Sequence, residues 1–288
     1  MIHSTLPFDL VVLDLDGTII DLYHTGGVSP RVRATIAAVQ AAGIPVTIGT
    51  GRTLDYIREH LADLNLTHPV VTMQGAVIGD PITGEILVEQ SIPLVVARQV
   101  AQWVDESGLV ATFYFHDDAG RVRIYQNRLP DQPEDQLFHD HVFGGVRTVQ
   151  GPFVDLLAAL AIRPPLKFLV DNDPTRTTDV VPALQERFGT VLTITRTHPR
   201  LVEGTTVGSD KGQGIQHLCQ MLKIDPLRVL AIGDNDNDIP MLKAVGYGVA
   251  MGNATPGAKA VAQWVAPSVE EDGAAVALEK FILRAVDS

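Results

Sequence analysis

Short apolar runs recur along this chain, with room for a helix between several of them. Leu10-Val11-Val12-Leu13 opens the series. Ile44-Pro45-Val46-Thr47-Ile48, Pro69-Val70-Val71-Thr72-Met73, Arg228-Val229-Leu230-Ala231-Ile232 and Gly246-Tyr247-Gly248-Val249-Ala250 continue it. Runs this short and continuous, without polar alternation, predict strands buried on both faces of a parallel sheet. After the first run, Val32, Ile36 and Val39 fall on one helical face, with Ser29 as N-cap, Pro30 in the first turn and Gly43 as the stop. The resulting βαβ unit implies a right-handed crossover. Leu54, Ile57, Leu61 and Leu64 predict a second helix, and Ile215, Leu218, Cys219 and Leu222 a later one. Gly79-Asp80-Pro81 to Thr83-Gly84 predicts a hairpin turn whose second strand ends near Gln90.

The pattern changes between Pro93 and about Gly204. There β-rich pieces at 109–115, 121–125, 166–170 and 190–195 alternate with helix-like segments, broken often by Asp, Asn, Pro and Gly. An α+β domain of residues 91–204 is therefore expected, inserted into an α/β core of residues 1–90 and 205–288. A length of 288 residues suits two domains. With 34 acidic against 22 basic side chains, the net charge of −12 argues against sequence-independent nucleic-acid binding and against an anionic membrane surface. No apolar run is long enough to cross a bilayer. The start, Met1-Ile2-His3-Ser4-Thr5, has no basic patch ahead of an apolar core, and the single cysteine, Cys219, excludes an internal disulfide. A cytoplasmic protein, monomer or homodimer, is expected.

Chemistry concentrates where predicted strands end and helices begin. Asp14 and Asp16 follow the first strand, Thr50-Gly51-Arg52 the second, and Gly233-Asp234-Asn235-Asp236-Asn237-Asp238 the strand at 228–232; Lys211-Gly212 opens a helix. In a parallel sheet the carboxyl ends share one edge, so these groups can converge. Asp14, Asp16, Asp234 and Asp238 would then be four anions in one place. At about 4 Å each like pair repels by about 4 kcal/mol, and several pairs rival the roughly 5–15 kcal/mol stability of a domain. Lys211 and a divalent cation resolve the conflict, and an all-oxygen ligand set (Asp14, Asp16, Asp234) favours Mg²⁺. The arrangement suits phosphoryl transfer. Asp14 serves as nucleophile and Asp16 as acid and then base. Thr50, Gly51 and Arg52 sit where phosphoryl oxygens would be held, and Lys211 neutralises the charge that builds on the transferred group. Asn237 and Asp238 support the metal site from behind, with Asp238 orienting either water on the metal or Lys211.

These residues, in this order and spacing, resemble the haloacid dehalogenase superfamily, and specifically its Cof-type (subfamily IIB) phosphatases, over nearly the whole chain. Asp14-Leu15-Asp16-Gly17-Thr18 matches the first motif, Thr50-Gly51-Arg52 the second, Lys211-Gly212 the third, and Gly233-Asp234 with Asn237-Asp238 the fourth. Met251-Gly252-Asn253-Ala254 and Glu271-Asp272-Gly273 resemble the family's usual ending. The resemblance implies a Rossmann-like parallel-sheet core, an inserted α+β cap of the C2B type that closes over substrate, Mg²⁺ as cofactor, and hydrolysis of small phosphorylated metabolites, sugar phosphates first. Only one helix fits between Asp16 and Thr50, whereas the stretch from Arg52 to Lys211 has room for a cap. Gln74-Gly75-Ala76, where many relatives have Asn-Gly-Ala, and Leu201-Val202-Glu203-Gly204 depart from the pattern. Two rivals remain: a specialised phosphatase for a phosphorylated disaccharide or mannosyl-phosphoglycerate, and a catalytically idle metabolite sensor. Asp16 and Lys211 argue against the sensor.

Plainer readings stand beside these. Asp234, Asp236 and Asp238 imitate the start of a calcium loop, but Ile239 and Val245 stand where such a loop needs Gly and Glu. Thr50 could cap a helix, and Arg52 could form a salt bridge rather than steer the leaving group. His116-Asp117-Asp118 and His139-Asp140-His141 read as surface of the inserted domain, although His116 could line a substrate pocket. Lys167 could reach substrate, and Cys219 reads as core.

Overall fold

The computed structural model describes residues 7–21, 27–143, 147–159 and 163–284, and leaves out the side chains at 141, 143 and 159. The first five residues, read above for a leader, and the side chain of His141 lie outside the described set. Contacts divide the chain into two units, Met1–Val88 with Asp210–Ser288, and Glu89–Ser209.

In the first unit five strands run parallel in the order Trp264–Val265, Tyr247–Ala250, Val229–Gly233, Leu10–Leu13, Val46–Ile48. Leu10–Leu13 and Val229–Gly233 are buried along their whole length, as expected of central strands covered on both faces. Ser29 caps the helix Pro30–Ala41, its side chain accepting the Val32 N–H, and Val32, Ile36 and Val39 face the core. The second helix is shorter than its apolar spacing predicts. Leu54–His60 ends at Leu61, whose φ is −125°, and a 3₁₀ turn, Ala62–Leu64, follows. Leu61 and Leu64 stay buried, because the tighter turn keeps residues three apart on one side.

Beyond Val46–Ile48, Gly49 bridges in parallel to Val71 and brings Val70–Thr72 alongside. Val70–Thr72 then pairs antiparallel with Val77–Gly79, which neighbours Ile86–Glu89. The link between the first two is a left-handed turn, with φ of 53° at Met73, 60° at Gln74 and 94° at Gly75. Its amides serve the Thr50 loop: Met73 N–H donates to Arg52 O (3.0 Å) and Gln74 N–H to Thr50 O (3.1 Å). Gly75 also lies against the start of helix Lys211–Leu222, where a Cβ would come within 2.1 Å of the Asp210 carbonyl oxygen.

The second unit is built on a six-stranded sheet in the order Leu192–His198, Leu201–Thr206, Lys167–Asp171, Ala111–His116, Val122–Gln126, Arg147–Val149. All pairs are antiparallel except the last, which is parallel. Phe113, Phe153, Phe168, Val100 and Leu184 are among its buried core. The architecture is thus α/β, a Rossmann-like parallel sheet carrying an inserted α+β unit. Leu201–Thr206 is a strand that apolar patterning passes over, since it holds Glu203, Gly204 and Thr205. Gly204 is needed there, because a Cβ would meet the Phe168 ring at 2.1 Å. Thr205 and Thr206, assigned to the core from sequence, belong to this sheet. His116 pairs with Glu89 (2.5 Å), His139 with Asp171 (2.8 Å) and Lys167 with Glu203 (2.9 Å).

Gly75→Ala should cost more than about 1 kcal/mol, since it adds strain at positive φ to a backbone clash. The expected outcome is a lower melting temperature together with weakened turnover, because the displaced backbone carries Lys211. An unshifted melt would contradict this account of the turn.

Candidate active site

Two loops at the carboxyl ends of neighbouring core strands, those after Leu10–Leu13 and Val229–Gly233, bring the acids together, and the helix Lys211–Leu222 brings the lysine. Lys211 Nζ lies 2.6 Å from Asp14 Oδ1 and 2.6 Å from Asp238 Oδ1, with the side chain 1% exposed. Asp238 is buried completely, and its Oδ2 accepts the N–H groups of Asp234 (2.9 Å) and Asn235 (3.0 Å). Oxygens of Asp14, Asp234 and Asp238 lie within 4.8 Å of one another. The backbone makes room for this: at Gly17, φ is +81°, and a Cβ would sit 2.3 Å from Asp234 Oδ2.

The electrostatics are unbalanced. Burial first, then the Asp238 charge, pushes the Asp14 carboxyl up to about 7 against the pull of Lys211. Burial, then Asp14 and Asp238, pushes Asp234 up to about 9. Lys211 is shifted upward by Asp14 and Asp238, which outweigh its own burial. Four carboxylates (Asp14, Asp16, Asp234, Asp238) face two cations, Lys211 and Arg52, so the fully ionised cluster is left with two negative charges. Asp234 Oδ1 is buried and has no hydrogen-bond partner among the described residues. A bare buried carboxylate oxygen is costly. A divalent cation held by Asp14 and Asp234 would satisfy it and cancel the remaining charge, so the donor set fits such an ion.

Other expected residues fall nearby with different partners. Both oxygens of Asp16, expected among the metal ligands, are engaged by Arg52, at 2.8 and 2.9 Å. Thr50 is 1% exposed, and its hydroxyl accepts the Arg52 N–H (3.1 Å). Thr53, not Thr50, caps the helix Leu54–His60. Gly51 packs on Gln74, whose Nε2 a Cβ there would meet at 2.5 Å. Asn237 Nδ2 donates to Gln74 Oε1 (3.0 Å) rather than to the acid cluster. Asp236 accepts from the Thr255 hydroxyl (2.6 Å), so the three aspartates that imitate a calcium loop have separate tasks.

Asn253 was not picked out as a site residue from sequence. Its Nδ2 donates to Gly17 O (2.8 Å) and lies 3.3 Å from Asp234 Oδ2, while its Oδ1 accepts the Val269 N–H (2.9 Å). It follows the strand Tyr247–Ala250, and that position at a carboxyl end was the available signal.

A family model described as haloacid dehalogenase-like hydrolase matches residues 11–278. The chain belongs to that family. It is 27% identical over 281 residues to the 5-amino-6-(5-phospho-D-ribitylamino)uracil phosphatase YcsE of Bacillus subtilis, covering 98% of each chain. It is 28% identical over 290 residues to the phosphoglycolate phosphatase of Methanopyrus kandleri, covering 97% of this chain and 99% of that one. A solved phosphatase of the haloalkanoate (HAD) superfamily from Bacteroides thetaiotaomicron aligns with a TM-score of 0.79 at 25% identity, over 98% of this chain and 97% of that one. No helix among the described residues of this haloacid dehalogenase-like hydrolase is long and apolar enough to cross a membrane.

The raised carboxyls set a pH dependence for the metal-free protein. Asp14 and Asp234 keep protons in the folded state that the unfolded chain releases near the ordinary 3.8. The folded state therefore binds more protons between that value and about 9, and its stability falls as pH rises through this window. Urea melts in chelator between pH 5 and 9 should show a steeper loss for the unaltered protein than for Asp234→Asn. Equal slopes would show that Asp234 is not held in a proton-retaining environment.

Proposed function

We propose that this hydrolase is a Mg²⁺-dependent phosphatase that cleaves small phosphate monoesters through an aspartyl-phosphate on Asp14. Family membership and the phosphatase relatives make it a phosphoric monoester hydrolase. The observation that carries the finer reading is the position of Asp14, buried between Lys211 and the carboxylate of Asp234 with its partnerless oxygen. Asp14 and Asp234 would hold the Mg²⁺. When bound, the ion supplies the two positive charges that the cluster lacks and draws charge from the phosphoryl oxygens.

The chain's own groups then divide the chemistry. In the first step an Asp14 oxygen bonds to phosphorus, the phosphorus–ester oxygen bond breaks, and Asp16 gives its proton to the leaving oxygen. In the second, Asp16 takes a proton from water as the water oxygen bonds to phosphorus, and the bond from phosphorus to Asp14 breaks. Asp16 is thereby reprotonated and Asp14 returns as carboxylate. Lys211 lies beside Asp14, favouring its ionised, nucleophilic carboxylate before the first step and again after the second. The Thr50 hydroxyl and the backbone at Gly51 are the neutral groups available to the phosphoryl oxygens.

The two relatives named above act on different small phosphate esters, a phosphorylated ribitylaminouracil and phosphoglycolate. These relatives support a small phosphorylated metabolite as the substrate, with sugar phosphates the first to test. The test is phosphate release from p-nitrophenyl phosphate and from a panel of sugar phosphates, with and without Mg²⁺. The unaltered protein should turn over only with the metal, and Asp14→Asn should lower the rate by about 10³-fold or more. Tight binding of a metabolite with no release would favour a sensor instead.

A further inference from the structure

Arg52 sits in the motif that sequence assigns to phosphate binding, yet its guanidinium is occupied elsewhere. Nε lies 2.8 Å from Asp16 Oδ2 and Nη2 lies 2.9 Å from Asp16 Oδ1, so one planar fork takes both carboxylate oxygens. The guanidinium also lies over the Tyr56 ring, with its central carbon 4.7 Å from the ring centroid. The Arg52 main chain is fixed as well, its N–H on the Thr50 hydroxyl and its carbonyl on the Met73 N–H. A braced side chain on a pinned backbone therefore reaches back 36 residues to a single carboxylate.

Stability alone is a poor reason for this pair. The two side chains are 31% and 27% exposed, and solvent screens such a bridge. What a bidentate fork supplies is orientation, because it fixes the plane of the carboxylate and the direction of both oxygens. Lys211 cannot do this for Asp16, since its ammonium is engaged by Asp14 and Asp238.

The geometry points to Arg52 as the positioning residue for Asp16 rather than a ligand of the phosphoryl group. This rests on the phosphatase reading above, in which Asp16 is acid in the first step and base in the second. When Asp16 carries a proton on one oxygen, the N–H facing that oxygen lets go and the other keeps its bond. The carboxyl then pivots on the remaining bond instead of turning freely, and it returns to the same place to receive the proton from water.

p-Nitrophenyl phosphate separates the two steps. Its leaving group departs as the phenolate without needing a proton, so the first step does not depend on Asp16, whereas the second does. With Mg²⁺, Arg52→Gln and Arg52→Lys should leave KM unchanged or lower and reduce kcat by about tenfold, part of the usual worth of a positioned acid or base. Acid-quenched enzyme should show phosphorylated Asp14 several-fold above the unaltered protein by mass spectrometry. Arg52→Lys keeps the charge and the stem but not the fork, and it carries the test if Arg52→Gln does not fold. A raised KM without phosphoenzyme would make Arg52 a phosphate ligand and overturn the inference. Unaltered kinetics in Arg52→Lys would overturn it too, since charge alone would then suffice. Asp14→Asn, assayed alongside, tests the underlying chemistry separately: turnover without that carboxylate would end the phosphatase mechanism whatever Arg52 does.

Discussion

One ammonium ties the active site together. Lys211 Nζ sits 2.6 Å from an oxygen of Asp14 and 2.6 Å from an oxygen of Asp238. Through these two contacts the start of one helix is bonded to the loops after the two most buried strands of the sheet. Asp238 passes the constraint on, because its second oxygen holds the amides of Asp234 and Asn235. The lysine can reach this point only because two glycines let its helix come close. A Cβ at Gly75 would strike the Asp210 carbonyl at 2.1 Å, and one at Gly212 would strike the Pro240 carbonyl at 2.5 Å. One positive charge cannot balance three clustered carboxylates, and the shortfall falls on Asp234, whose buried Oδ1 has no hydrogen-bond partner among the described residues. The fit of this cluster to a divalent cation thus follows from where Lys211 stops.

A cluster of this kind works against folding, and the sheet beneath it offsets the cost. Leu10 through Leu13 and Val229 through Ile232 are entirely buried. Each Leu, Val and Ile among them contributes about 1.5–3 kcal/mol on burial, and Ala231 less. Two adjacent parallel strands built mainly of these residues can carry acids at their ends that an edge strand could not. The parallel register does the rest: Leu13 lies opposite Ile232, so Asp14 and the loop after Gly233 emerge side by side.

What the sequence reveals here follows from which forces leave a local trace. Strands buried on both faces are unbroken apolar runs, so Leu10–Leu13, Val229–Gly233 and Tyr247–Ala250 can be read within a residue or two. Leu201–Thr206 is no less central to its own sheet, but Glu203 is neutralised by Lys167 and Gly204 yields to Phe168, and neither compensation is visible locally. The same holds in the site. Asp14, Asp234 and Lys211 stand out because a charge at the end of an apolar strand or in a helix's first turn needs explaining. Asn253 and Gln74 are amides and carry no charge; the family resemblance marks their stretches, but their part in the site comes from their bonds to Gly17, Asp234 and Asn237. A salt bridge is one of the two roles the sequence offers Arg52, but its partner Asp16 and the two-pronged geometry cannot be read there, since they depend on side-chain directions across two loops.

The two aspartates of the first motif show why position alone does not define a role. Asp14 and Asp16 are two residues apart, yet one is 4% exposed beside a point-like ammonium and the other is partly exposed under a flat guanidinium fork. An ammonium has no preferred plane. It can neutralise a carboxylate while leaving the attacking oxygen free to choose its line, which suits a nucleophile. A guanidinium fixes the plane, which suits a group that must take up and release a proton in one direction. Exchanging the two cations would give each carboxylate the wrong kind of help. In the proposed mechanism their different neighbours, more than the acids themselves, suit one to be a nucleophile and the other a proton carrier.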